Sequence, residues 1–297
     1  MAYIAKESIN GKEYFYLVKN TREAGRWRKR KKYLGRQIPN QETLETLKAE
    51  LDVACKPVGQ HQFLSHEVIL KLRNFRDQYD VFRRGPEQSK AELDFLVRFA
   101  HNSNAIEGNT LSLVETKLVL EDNLTPSGKS FEDVVGAKNT EMAYRFIRDT
   151  TKDITKGFIL RLHAIAMDRV ISDAGRIRTK PIKITGSSFQ PPEPAVVDDE
   201  LIRFLGFYEF IKKKYHVVEV AALTHLKFVE VHPFRDGNGR VARLLMNFVL
   251  LRGGFPPIII MNENKQRYYE SLELGHHGEY LPLMQFLADT MIAQYGS

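Results

Sequence analysis

The run HPFRDGNGRVAR, residues 232–243, decides how the rest of this 297-residue chain is read. It has the makings of a phosphate-handling loop that runs into a helix. His232 closes the apolar, helix-like stretch AALTHLKFVEV, and an imidazole with an ordinary pKa of about 6.5 can take a proton from a hydroxyl at neutral pH. Asp236 is a hard oxygen ligand of the kind that holds Mg2+ on the phosphates of ATP. Gly237 and Gly239 flank Asn238; glycines let backbone amides turn toward an anion, and the helix that follows points its free N–H groups the same way. Arg240 and Arg243 stand one turn apart, so both guanidinium groups can grip successive phosphates. The remainder, LLMNFVLL, is apolar enough to be buried. A capped core helix behind a glycine loop is the plain alternative, but caps do not call for a His, an Asp and two arginines in this order.

Length and a hydrophobic content of 43% allow one large or two modest domains with a real core. Apolar runs of 18 or more are absent, and the opening MAYIAKESINGKEYFY lacks a signal-peptide layout, so the expectation is a cytoplasmic protein with no membrane contact. Cys55 is the only cysteine, which excludes an internal disulfide and a thiolate metal cluster. The net charge of +7 is local. Between Arg22 and Arg36 stand eight Lys or Arg against Glu23, and the other residues balance to zero.

Working outward, residues 1–40 read as a small basic β-meander. Asn10-Gly11 is a strong hairpin signal between YIAKESI and KEYFYLV, and a third strand, RWRKRKKYLG, follows Gly25. Alternation puts Trp27, Lys29, Lys31 and Tyr33 on one side of it and Arg28, Arg30 and Lys32 on the other. Such a strand suits nucleic-acid phosphates, and it equally suits a charged edge that resists aggregation. Residues 41–61 read as a linker. From about 38 the periodicity turns helical, with helices expected at about 62–84, 88–107, 111–122, 130–149 and 155–170 before the signature helix, and two more after the turn at 253–257. One interruption, GRIRTKPIKITGSSFQPP at 175–192, reads as a β-hairpin turning at Gly186.

The signature run resembles that of the Fic family, HxFx(D/E)GNGRxxR, at every fixed position. The resemblance covers about 62–294 and leaves the meander unexplained. It implies a mainly α fold, a Fic-type helical bundle with a β-hairpin flap at 175–192, occupying 62–297 behind the β-meander. It also implies transfer of AMP from Mg-ATP to a Ser, Thr or Tyr hydroxyl of a target protein docked on the flap, with His232 as base, Asp236 on Mg2+, and Gly237, Asn238, Gly239, Arg240 and Arg243 on the nucleotide. Ser103, Glu107 and Gly108, at the end of an inhibitory helix 88–108, match the family's Ser/Thr-x-x-x-Glu-Gly/Asn motif, whose glutamate pairs with the second motif arginine, here Arg243. An arginine so held cannot also hold the γ-phosphate. Tyr268 and Tyr269 stand where relatives line the adenine pocket, although only one of two adjacent side chains can point inward. The chain departs from the pattern at Ser187 and Ser188, where a His is common, and at His276, where an adenine-contacting Asn is usual. His276 and His277 have no third ligand at metal spacing, so no zinc site is expected. Two other functions stay open: removal of AMP from a modified protein at the same site, and nucleic-acid binding through the basic segment. A homodimer is a common family assembly.

Overall fold

The structure is a computed structural model that describes residues 2–9, 12–23, 26–35, 37–39, 41, 44, 48, 63–82, 88–184 and 186–296. The chain divides into two compact units, Met1–Val58 and Gly59–Ser297. The first contains an antiparallel meander in the order β1 (Ala2–Ile9), β2 (Lys12–Glu23), β3 (Arg26–Gly35). Opposite residues run from Ala2 with Lys19 to Ile9 with Lys12, and from Tyr16 with Tyr33 to Glu23 with Arg26, with a bulge between Phe15 and Tyr16. Leu17 and Val18 are fully buried. The side chains of residues 26–33, on which the nucleic-acid reading turns, lie outside the described residues, as do Asn10-Gly11, Cys55 and most of the expected linker.

The second unit is helical: α1 (His66–Phe82), α2 (Gln88–Ile106), α3 (Leu113–Glu121), α4 (Phe131–Asp149), α5 (Lys156–Ala166), α6 (Val197–Ile211), α7 (Val217–Val231), α8 (Asn238–Arg252), α9 (Lys265–His276) and α10 (Leu281–Tyr295). Local chemistry sets where several of these start. Ser112 and Glu115 form a capping box on α3, Ser130 and Thr155 cap α4 and α5 through their hydroxyls, and His216 with Glu219 caps α7. Glu219 is fully buried and also accepts the amides of Phe63 and Leu64, both at 2.9 Å, which anchors the approach to α1.

At the centre, α7 and α8 pack antiparallel, and both are buried almost all round. The loop that joins them is the signature run. A helix pair with no exposed face cannot shift freely, so the loop's two ends are fixed by the core.

The segment 175–192 departs from expectation. The chain does reverse at Gly186, whose φ is +79°, but no paired strands occur among its described residues. Pro181, Pro191 and Pro192 have no N–H to give a ladder. Its carbonyls are used elsewhere: the Arg178 guanidinium donates to Lys180 O at 3.2 Å and to Pro192 O, so one buried arginine replaces the ladder.

Candidate active site

His232 ends α7 in the left-handed conformation, φ +46°, which turns the chain sharply into the loop. Its Nδ1 lies 3.0 Å from Val229 O. A carbonyl only accepts, so Nδ1 carries the proton and Nε2 keeps its lone pair. Burial, first, pushes its pKa down to about 4, with the Arg178 charge acting the same way against the Val229 hydrogen bond. The ring is therefore neutral at pH 7, as a base must be.

Across the loop, Asn238 closes a ring: its Oδ1 accepts Phe234 N at 3.0 Å and its Nδ2 donates to Phe234 O at 2.8 Å. Its side chain is thus spent on loop shape, so an anion here would meet Asn238 through its backbone amide. Gly237, φ +76°, sits where a β-carbon would lie 2.6 Å from Met167 Sδ. Asp236 keeps its carboxylate more than half exposed; Oδ1 accepts Gly237 N at 2.6 Å, and Oδ2 is 3.6 Å from Arg240.

Arg240 is buried, and its Nε has no hydrogen-bond partner. Burial, first, lowers its pKa, partly offset by Asp236 and Glu107. A buried cation with an unmet donor beside an exposed carboxylate is the arrangement that a metal-bound phosphate completes. The donor set suits Mg2+, which takes one or two carboxylates and draws its other ligands from phosphate and water. No cluster of three or more His, Cys, Asp or Glu able to cage a metal occurs among the described residues, including around His276 and His277.

Arg243, three residues on, is held through two of its nitrogens. Nε donates to Ser103 Oγ at 3.0 Å, and Nη2 to Ser103 O at 2.8 Å and Glu107 Oε1 at 2.7 Å. Burial pushes the Glu107 carboxyl up, but Arg243, Arg240 and Lys265 outweigh it and hold the carboxyl below the usual range. Gly239 makes the room: a β-carbon there would lie 2.4 Å from Glu107 Oε1. The end of α2 is pinned as well. Gly108 follows it at φ +97°, Lys265 donates to Ile106 O at 2.6 Å, and Asn262 N donates to Asn102 Oδ1 at 2.9 Å.

The two tyrosines separate. Tyr268 faces the core, 1% exposed, and shares a 2.7 Å hydrogen bond with His225. Tyr269 lines a cavity of about 610 Å³ with Gly186, Asn262, Lys265 and Glu273. His276 is also withdrawn: its side chain is nearly buried, stacked on Phe189 at 4.5 Å.

Three contributors escaped the sequence reading. His163 and Arg178 tie the 175–192 segment to the loop, the latter through Nε to His232 O at 2.9 Å and through its amide to Pro233 O at 2.9 Å. Glu273 holds the tip, accepting Ser187 Oγ at 2.6 Å and Ser188 N at 3.1 Å, and these hydrogen bonds pull its pKa down to about 2. The serines at 187 and 188 were legible as a departure. Nothing in the sequence pointed to their partner.

Residues 153–250 match the Fic/DOC family. The chain is 32% identical over 235 residues to a protein adenylyltransferase Fic from Nematostella vectensis, covering 76% of this chain and 54% of that protein. It is 34% identical over 209 residues to one of the same name from Aedes aegypti, covering 67% and 41%. The chain thus spans about half the length of the curated relatives it matches. A Fic domain containing signaling protein from Bacteroides thetaiotaomicron superposes with a TM-score of 0.69 at 29% identity, over 76% of this chain and 95% of that one. Fic-1 from C. elegans does so with a TM-score of 0.68 at 28% identity, over 87% and 76%.

Proposed function

Because this chain belongs to the Fic/DOC family, we propose that it transfers AMP from Mg-ATP to a Ser, Thr or Tyr hydroxyl of a target protein, and that Glu107 restrains it by holding Arg243. The observation that carries the reading is Arg240, a buried guanidinium with an unmet Nε beside the exposed Asp236 carboxylate, on the same loop and helix start as the neutral imidazole of His232. The acceptor hydroxyl attacks the α-phosphorus while the bond to the β-phosphate breaks. Its proton goes to His232 Nε2, and the electron pair leaves with pyrophosphate. Asp236 would hold Mg2+, which supplies charge compensation on the phosphates. Arg240 and the amides of 237–239 meet the charge that grows on the transferring group. Arg243 orients the γ-phosphate only when Glu107 is elsewhere.

The target docks along 175–192. Its tip is latched by Glu273 and its base by Arg178, which holds the segment in place for a partner. A second reading, removal of AMP from a modified target, draws on the exposure of Glu107, a third open beside its bond to Arg243, where a carboxylate can orient water. Mass spectrometry of cell extract incubated with labelled ATP and the Glu107→Gly protein tests the first reading. Labelled protein with a mass gain of one AMP supports it, and loss of AMP from premodified protein by the parent alone favours the second.

A further inference from the structure

His163 takes no part in the chemistry proposed above, yet it is fully buried against the loop where that chemistry would occur. Its ring lies flat on Phe234, centroids 3.6 Å apart and planes within 1°. Nδ1 is 2.8 Å from Gly175 N, and an amide only donates, so Nδ1 is the acceptor. The ring proton of the neutral imidazole is therefore on Nε2, which donates to Asp236 O at 3.0 Å. That carbonyl belongs to the peptide joining Asp236 and Gly237. In a trans peptide C=O and N–H point opposite ways. Fixing the carbonyl on His163 therefore turns Gly237 N toward the Asp236 carboxylate, where it is bonded at 2.6 Å.

We propose that His163 is a positioning residue: by fixing the peptide between Asp236 and Gly237 it sets the direction of the Asp236 carboxylate, and through Gly175 it joins that setting to the root of the 175–192 segment. The inference rests on the proposed function for what Asp236 would hold. A histidine that only filled the core would be replaced without loss by any ring of its size. A strut has two polar ends, and each can be removed separately. Phe keeps the stacked ring and neither end. Gln keeps a donor near the place of Nε2, and Asn keeps an acceptor near the place of Nδ1.

The test uses the full chain carrying Glu107→Gly and measures, by calorimetry, the affinity for α,β-methylene ATP with Mg2+ and with EDTA. Second partners of metal ligands are typically worth about 10- to 100-fold in metal affinity. His163→Phe should cut the gain given by Mg2+ by about that factor and leave the EDTA affinity unchanged; His163→Gln should recover most of the gain. An undiminished gain in His163→Phe overturns the inference. Where the Phe variant does not fold, Gln against Asn decides: Gln retaining the gain and Asn losing it supports the strut, and equal or reversed behaviour overturns it. A Glu107→Gly protein with no Mg2+ gain before any change at His163 counts against the proposed function and overturns the strut with it.

Discussion

Arg240 and Arg243 leave the same helix one turn apart and stand in opposite conditions. The first has a buried Nε with nothing to bind, and the second has donors spent on Ser103 and Glu107. Nothing within α8 makes this difference. It is made by the end of α2, which reaches one guanidinium and not the other. Spacing along a helix therefore says which side chains share a face, while an element 136 residues away decides which of them is available.

Both arginines would serve one reaction centre, and removing its base has the largest expected effect. His232→Ala should lower AMP transfer by about 10²- to 10⁴-fold with nucleotide affinity nearly intact. Turnover assays beside calorimetry separate the two, and a rate above about a tenth of the parent's would remove His232 from the role. Next in size is the release of Arg243. Glu107→Gly should raise auto-modification about 5- to 150-fold at saturating Mg-ATP, the range for a pair that biases two arrangements by ~1 to 3 kcal/mol. Equal labelling by parent and variant would mean that the pairing restrains nothing. Adding Arg243→Ala to Glu107→Gly should return part of the gain.

The two arginines can then be compared directly. In the parent, Arg240→Ala should weaken ATP binding by about 10- to 100-fold, the worth of a hydrogen bond between charged groups. Arg243→Ala in the same background should change it far less, because its Nε and Nη2 are already committed to Ser103 and Glu107. Similar losses from both, by titration calorimetry, would erase the contrast. The smallest expected effect is that of pH. Glu107 has a lowered folded pKa, so its pair contributes above the ordinary carboxylate value and is lost only as pH falls through the lowered one. The ratio of Glu107→Gly to parent activity should vary by less than about twofold from pH 6 to 8. Stability should respond lower down. His163 and His232 have folded pKa values of about 4, below their unfolded value, so their contribution is present above about 6.5 and lost as pH falls toward 4. Melting temperature should hold from pH 8 to 7 and decline below about 6.5, and a profile rising in that range would contradict their burial as neutral rings.

What was legible follows from distance along the chain. The loop and helix at 232–243, the helical bundle and the glycine-ended α2 could be read because their cues are local: glycines, caps and a 3.6-residue period. The inward turn of Tyr268 followed from adjacency in a helix, though which tyrosine turns did not. The hairpin at 175–192 failed because Ile182 and Ile184 suggest strand while the prolines and Arg178 take away the partners a ladder needs. His163 was illegible for another reason: within FILRLHAIA a lone histidine on an apolar helix face looks like filling, and both its partners lie in loops folded back on it.

The contact between Gly239 and Glu107 binds two positions into one inheritance. A β-carbon at 239 would crowd the Glu107 carboxylate, so a larger side chain there must push that carboxylate aside. If the Glu107 pairing restrains the enzyme as proposed, a lineage could lose that restraint by mutation at either site, and glycine at 239 would matter only in copies that had kept the glutamate.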